Sequence, residues 1–305
     1  MEPAAPVDRI QNVMKEIEAP HGQTAGGQPA EDTAAPVPAT ALGRAIVFTS
    51  GKGGVGKTTT TANIGTALAD AGKRVAVVDA DVGLRNLDVV LGLENRVHGH
   101  LLDVIEKQCT LDEALVRDRV RRTLFLLPAA QNREKDEVPE AAMAALVRTL
   151  QARFDFVLID CPAGIEQGFR NAVVGAQEAI VVTTPEVSAV RDADRVIGLL
   201  PPEMSVKLIV NRVRPALVKK GTMMSVEDVN NILRLELVGV VPDEKEIIIA
   251  TNRGTPVIDI DGSETGAAFR RIARRIVGES VDIPAFAEKS GLFARVMSTL
   301  GIARS

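Results

Sequence analysis

Three clusters of residues carry the types and spacings that chemistry needs. The first is Ser50-Gly51-Lys52-Gly53-Gly54-Val55-Gly56-Lys57-Thr58, followed by Thr59. It fits GxxxxGK[ST], a loop whose glycines let consecutive backbone N–H groups curl around phosphate oxygens without interference from Cβ atoms. A helix beginning near Lys57 would add its positive end. Lys57 would neutralise β- and γ-phosphates, and the Thr58 hydroxyl would ligate Mg²⁺. The second cluster is Phe156-Val157-Leu158-Ile159-Asp160, an apolar strand ending in the carboxylate that completes a Mg²⁺ shell. Cys161-Pro162-Ala163-Gly164 then breaks the backbone, as a loop sensing the γ-phosphate must. The third is Asp79-Ala80-Asp81, again after an apolar run. One of these carboxylates could support Mg²⁺ through water and the other orient an attacking water; sequence order does not divide the roles. Lys52, inside the loop, has two readings: a solvated charge, or a lysine reaching the nucleotide of a second copy of the chain. Cys161 reads as a small buried spacer, with no His near it in sequence.

Elements must carry these groups to one place. Short Val/Ile/Leu-rich runs predict strands at Ala45–Thr49, Arg74–Asp79, Thr123–Leu127, Phe156–Asp160, Ala179–Thr183, Lys207–Val210 and Leu237–Val241. Runs of this kind suit parallel strands buried on both faces. Helices fit between them at Lys57–Ala71, Glu140–Ala152, Ala189–Leu199, Val226–Leu233 and Ala267–Val277, with Ser225 and Asp228 marking one start. The alternation predicts a doubly wound α/β domain with a mostly parallel sheet over residues 44–280. Carboxyl ends of such strands are where open α/β sheets bind ligands.

Composition narrows the function classes. Aromatics are 3%, eight Phe with neither Trp nor Tyr, which argues against base-stacking platforms for single-stranded nucleic acid. The chain nets −4, while residues 1–43 carry six acids and two bases, so the rest is balanced and offers no electrostatic footprint for DNA. No nucleic-acid partner is expected. Cys109 and Cys161 lie too far apart for a zinc or cluster motif and suit a reducing cytosol. No stretch reaches the length of a membrane span, and residues 1–43, rich in Pro and Ala and lacking Ser, match neither a secretory signal nor a transit peptide. They read as a mobile tail.

The lysine-bearing loop Lys52-Gly53-Gly54-Val55-Gly56-Lys57-Thr58 resembles that of the deviant Walker A ATPases, the ParA/MinD class. Asp79 to Asp88, Asp160 to Glu166, Thr184 to Arg195, Met224 to Val229 and Thr251 to Gly254 extend the resemblance to members that place the cell-division site. The resemblance implies a Mg²⁺-dependent ATPase that forms an ATP-sandwich homodimer through Lys52. It places hydrolytic water on Asp81, Asp79 behind the metal and Asp160 in the second switch. It puts adenine against Asn211 and Pro242-Asp243. An Asn amide can pair with an adenine edge, though Asn after a strand is also a common turn residue. The helix bearing Ser188, Asp192 and Asp194 corresponds to the surface on which the family docks partners: a septum inhibitor (MinC-like) and an ATPase-stimulating topological-specificity factor (MinE-like). A ParA-like or flagellar-positioning ATPase with another cargo is the alternative.

Beyond Pro284, Leu292, Phe293, Val296, Met297 and Leu300 form one helical stripe. Such a stripe commonly packs on its own domain. Its position in residues 281–305 matches the family's membrane-targeting helix, implying reversible attachment of a cytoplasmic protein to the inner face of the cytoplasmic membrane. With only Lys289, Arg295 and Arg304 as bases, binding to an anionic surface would lean on the apolar residues.

Overall fold

A computed structural model describes residues 42–131 and 138–284. The proposed tail and the terminal stripe with Leu292, Phe293, Val296, Met297 and Leu300 lie outside the described residues. Eight strands form one sheet: β1 (Arg44–Thr49), β2 (Val75–Asp79), β3 (Val116–Arg117), β4 (Leu124–Leu127), β5 (Phe156–Asp160), β6 (Glu178–Thr183), β7 (Ser205–Val213) and β8 (Glu236–Pro242). Their order is β3-β4-β2-β5-β1-β6-β7-β8, parallel throughout except that β3 pairs antiparallel with β4 at the edge. The two-residue β3 carries no alternation to read and was not predicted; the other seven strands were.

Alternate strand residues divide between two cores, as buried parallel strands require. Ala45, Val47, Ala76, Val78, Val157 and Ile159 face one side. Ile46, Phe48, Val75, Val77, Phe156 and Leu158 face the other. The second side is covered by α1 (Lys57–Asp70) and, as the last described helix, α11 (Glu264–Ile276). The first is covered by α5 (Glu140–Gln151), α7 (Val187–Ile197) and α9 (Val226–Leu233). The helix start read at Ser225 carries a reciprocal cap, in which the Ser225 hydroxyl accepts from the Asp228 N–H and the Asp228 carboxylate from the Ser225 N–H. Six short helices were not anticipated: α2 (Leu87–Leu91), α3 (Leu101–Ile105), α4 (Leu111–Ala114), α6 (Gln167–Val173), α8 (Pro215–Lys219) and α10 (Glu246–Asn252). Each is about two turns or less, too short for a stripe to show.

The first helix opens with Lys57 and four threonines, poor helix formers. Buried Thr60 and Thr61 donate their hydroxyls back to the carbonyls of Gly56 and Lys57 at 2.8 and 3.0 Å, which satisfies them inside the core. Strand β5 lies between β1 and β2, with Asp160 level with Phe48 on one side and Asp79 on the other. The glycine loop after β1 and the two carboxylate-bearing strand ends therefore meet at one edge of the sheet.

Candidate nucleotide-binding site

A cleft of about 430 Å³ opens at this edge, lined by Ser50 and Lys52 to Thr59. Asp81, Asn86, Ala163, Arg212 and Thr251 face it from other elements. Gly54 (φ 79°) and Gly56 (φ 92°) hold left-handed conformations that other residues rarely adopt, and a Cβ on Gly54 would meet nothing within 4 Å. That open side is where an oxyanion fits. Gly51 has no positive φ, and its need is for space: a Cβ there would lie 2.1 Å from the Asp192 carbonyl oxygen of α7.

Lys57 lies beneath the loop, nearly buried, its Nζ 3.2 Å from Asp160 Oδ1. Burial, the largest single influence, opposes its charge, but the groups around it, Asp160 foremost with Cys161 and Asp81, together outweigh that and raise its pKa. Asp160 is also pushed upward by burial, opposed by the Lys57 charge and by a hydrogen bond from Thr58. The Thr61 hydroxyl oxygen lies 3.4 Å from the same Asp160 oxygen. Thr58 and Asp160 thus adjoin, one hydroxyl and one carboxylate. No group of three or more His, Cys, Asp or Glu residues gathers as a metal site among the described residues. This donor set fits Mg²⁺, which takes few protein ligands and completes its shell with phosphate and water.

Asp79 is differently employed. Its Oδ1 accepts the Asp81 N–H at 3.0 Å, and Oδ2 accepts those of Asn86 and Leu87, each at 3.1 Å. The carboxylate folds the loop 80–87 around itself and keeps Asp81, at the cleft, next to the phosphate loop. Burial first, then the Asp160 charge, push its pKa up to about 7 against those three donors. Cys161 is fully buried and its thiol is pushed up to about 12 by burial, which suits the spacer reading.

Lys52 leans out of its loop toward α7, its Nζ 3.4 Å from Ser188 Oγ and 3.9 Å from Glu186 Oε2. Ser188 is exposed, Asp192 and Asp194 are half-buried, and Asp192 pairs with Arg195 at 3.5 Å. Asn211, Pro242 and Asp243 are not among the residues lining the cleft. Asn211 is buried, the Pro242 carbonyl accepts the Thr265 hydroxyl at 3.3 Å, and Asp243 pairs with Arg214 at 2.5 Å. Glu186, Arg212 and Thr251 were missed as site residues. Arg212 had one signal, its place directly after Asn211; Glu186 and Thr251 lie in stretches that carry the family resemblance, without a role assigned to either.

Residues 46–257 match the CobQ/CobB/MinD/ParA nucleotide binding domain. The chain is 57% identical over 246 residues to the septum site-determining protein MinD of Synechocystis, covering 80% of this chain and 92% of that protein. The MinC:MinD cell division complex of Aquifex aeolicus is similar at 45% identity and TM-score 0.72, over 80% of this chain and all of that one. The septum site-determining MinD of Pyrococcus horikoshii, complexed with Mg-ADP, is similar at 30% identity and TM-score 0.71, over 78% and 97% of the two chains. A glycine loop, a buried lysine–aspartate pair and a second aspartate-anchored loop on one sheet edge, together with these likenesses, place the chain in the CobQ/CobB/MinD/ParA family of nucleotide-binding proteins, among its septum-site-determining, Mg²⁺-dependent ATPases.

Proposed function

We propose that the protein is a nucleotide-driven switch that marks where a cell does not divide, alternating between an ADP-bound monomer and an ATP-bound dimer on an anionic membrane. The observation that carries this is the Lys57–Asp160 pair, buried directly under an open glycine cradle. The cradle N–H groups and Lys57 bind the phosphates, and Thr58 with Asp160 would hold Mg²⁺, which would supply charge neutralisation for the phosphoryl group in transfer. Asp81, held at the cleft by the Asp79-centred loop, orients the water that attacks the γ-phosphorus, and ADP leaves with the bridging oxygen. Lys52 sits on the loop's outer side with its ammonium half-exposed, available to a second subunit. Its contacts with Ser188 and Glu186 tie that availability to α7, where Ser188, Asp192 and Asp194 form the surface for a MinC-like inhibitor and a MinE-like ATPase activator. The Aquifex relative was solved as a MinC:MinD complex. Among the described residues no helix is long and apolar enough to cross a membrane. Attachment falls to the amphipathic stripe at 292–300.

Sedimentation with anionic vesicles, in Mg-ADP and in Mg-ATP, tests the switch. Wild type should pellet in ATP and stay in the supernatant in ADP. Lys57→Ala, which removes the charge that neutralises the phosphates, should stay in the supernatant in both. Equal pelleting of wild type in both nucleotides, or pelleting of Lys57→Ala like wild type in ATP, would refute the nucleotide-dependent attachment.

A further inference from the structure

We propose that Asn211 is a positioning residue for the phosphate loop: its side-chain amide ties the end of β7 to the Val55 carbonyl and so aims the loop's N–H groups at the phosphates. This deepens the nucleotide-switch reading and rests on it. Asn211 Nδ2 donates to the Val55 carbonyl at 2.7 Å, across 156 residues of sequence. Its Oδ1 accepts the Arg212 N–H at 2.9 Å. The two partners fix the orientation of the amide, because a flip would face oxygen with oxygen and N–H with N–H. The side chain is 3% exposed and lies under the loop, outside the lining of the cleft.

Two independent features are shaped around this contact. The β7–β8 register shifts between Val210 and Val213, and Arg212 takes a left-handed φ of 57°, strained for a residue with a Cβ. The bulge turns Asn211 inward beneath the loop and Arg212 outward to the cleft. On the loop side, a Cβ on Gly56 would lie 2.3 Å from Asn211 Nδ2. The residue just before the helix that carries Lys57 is therefore glycine both for its φ of 92° and because the strut passes there. With the strut removed, the buried Val55 carbonyl loses its side-chain donor, and the loop drifts from the geometry that presents its N–H groups.

A loop strut and an adenine contact differ in what they do to ligands without adenine. Affinities for Mg-ATP, Mg-GTP and Mg-tripolyphosphate would be measured by displacement of a fluorescent ATP analogue from wild type and Asn211→Ala. Circular dichroism and ligand-free melting would confirm that the variant is folded. We expect all three affinities to fall by the same factor, about tenfold, with the ATP-to-GTP preference retained. Asn211→Asp, close in shape but with an oxygen facing the Val55 carbonyl, should show the same uniform loss and serves if the Ala variant does not fold. In a double-mutant cycle, Gly56→Ala should cost less affinity in the Asn211→Ala background than alone, since the clash with the amide is gone. Unchanged tripolyphosphate affinity, with ATP alone falling toward GTP, would overturn the strut and make Asn211 a base reader. A wild type that binds none of the three would instead overturn the nucleotide reading itself.

Discussion

Two aspartates only two residues apart, Asp79 and Asp81, do different work because their surroundings differ. Asp79 is 1% exposed and spends both oxygens on backbone donors, whereas Asp81 lines the cleft beside the phosphate loop. Replacing Asp81 by Ala should leave ATP affinity within a few-fold of wild type and lower turnover by about 10²–10⁴, the usual worth of a positioned base. Single-turnover ATP hydrolysis beside equilibrium binding checks the separation; wild-type turnover would shift the role to Asp160. Asp79 carries a pH signature instead. Its pKa is near 7 in the fold against an ordinary 3.8, so the unfolded chain releases this proton at lower pH than the native state does. Its stabilising contribution is therefore complete below about pH 4 and is lost progressively as pH rises through about 7, on the order of 4 kcal/mol. Urea unfolding of ligand-free wild type and Asp79→Asn at several pH values should show the wild type's advantage shrinking across that window. A constant gap would mean that Asp79 is ionised throughout.

At the scale of elements, the phosphate loop is held from both flanks. Helix α7 presses the Asp192 backbone against Gly51, and its first turn receives Lys52 through Ser188 and Glu186. From the other flank the end of β7 reaches Val55 through Asn211. Gly51→Ala would place a methyl 2.1 Å from a backbone oxygen that no rotamer change can move. The loop and α7 would have to separate, and ATP affinity should drop by about tenfold or more, from a core-overpacking cost of about 1–3 kcal/mol. Isothermal titration with Mg-ATP measures it; an affinity equal to wild type would show that the helix and loop part without consequence.

For the molecule as a whole, the question is how a nucleotide state becomes a location. On the proposed reading the membrane contact is made by the stripe at 292–300, which follows Ile283, a residue that packs on the core. A single short amphipathic helix binds weakly, and two on one dimer bind far more strongly because the second insertion is intramolecular. Phe293, central on the stripe, contributes about 1.5–3 kcal/mol per helix when removed from water. Phe293→Glu should therefore lower ATP-dependent vesicle binding by orders of magnitude and leave lipid-free ATPase unchanged. Should the variant keep its vesicle binding but lose its ATPase, the stripe belongs to the core.

What the sequence determined by itself was everything set by local pattern. The spacing Gly51 to Thr58 admits little but a phosphate loop, and apolar runs ending at Asp79 and Asp160 had to be buried strands delivering carboxylates to one edge. The seven long strands and five long helices followed, because burial on one or both faces leaves a period that several residues repeat. The short helices α2, α3, α4, α6, α8 and α10 and the two-residue edge strand β3 leave no such period and depend on what they pack against. Tertiary structure alone decided the order of the strands, and with it the placing of Asp160 between Phe48 and Asp79. It also decided what each polar group does. Asp79 turned inward because the donors of Asn86 and Leu87 curl back onto it, Lys52 turned toward α7, and a bulge aimed Asn211 at Val55. Sequence names the groups able to make such bonds. Only packing, which buries some of them and must then find each a partner, settles which bonds they make.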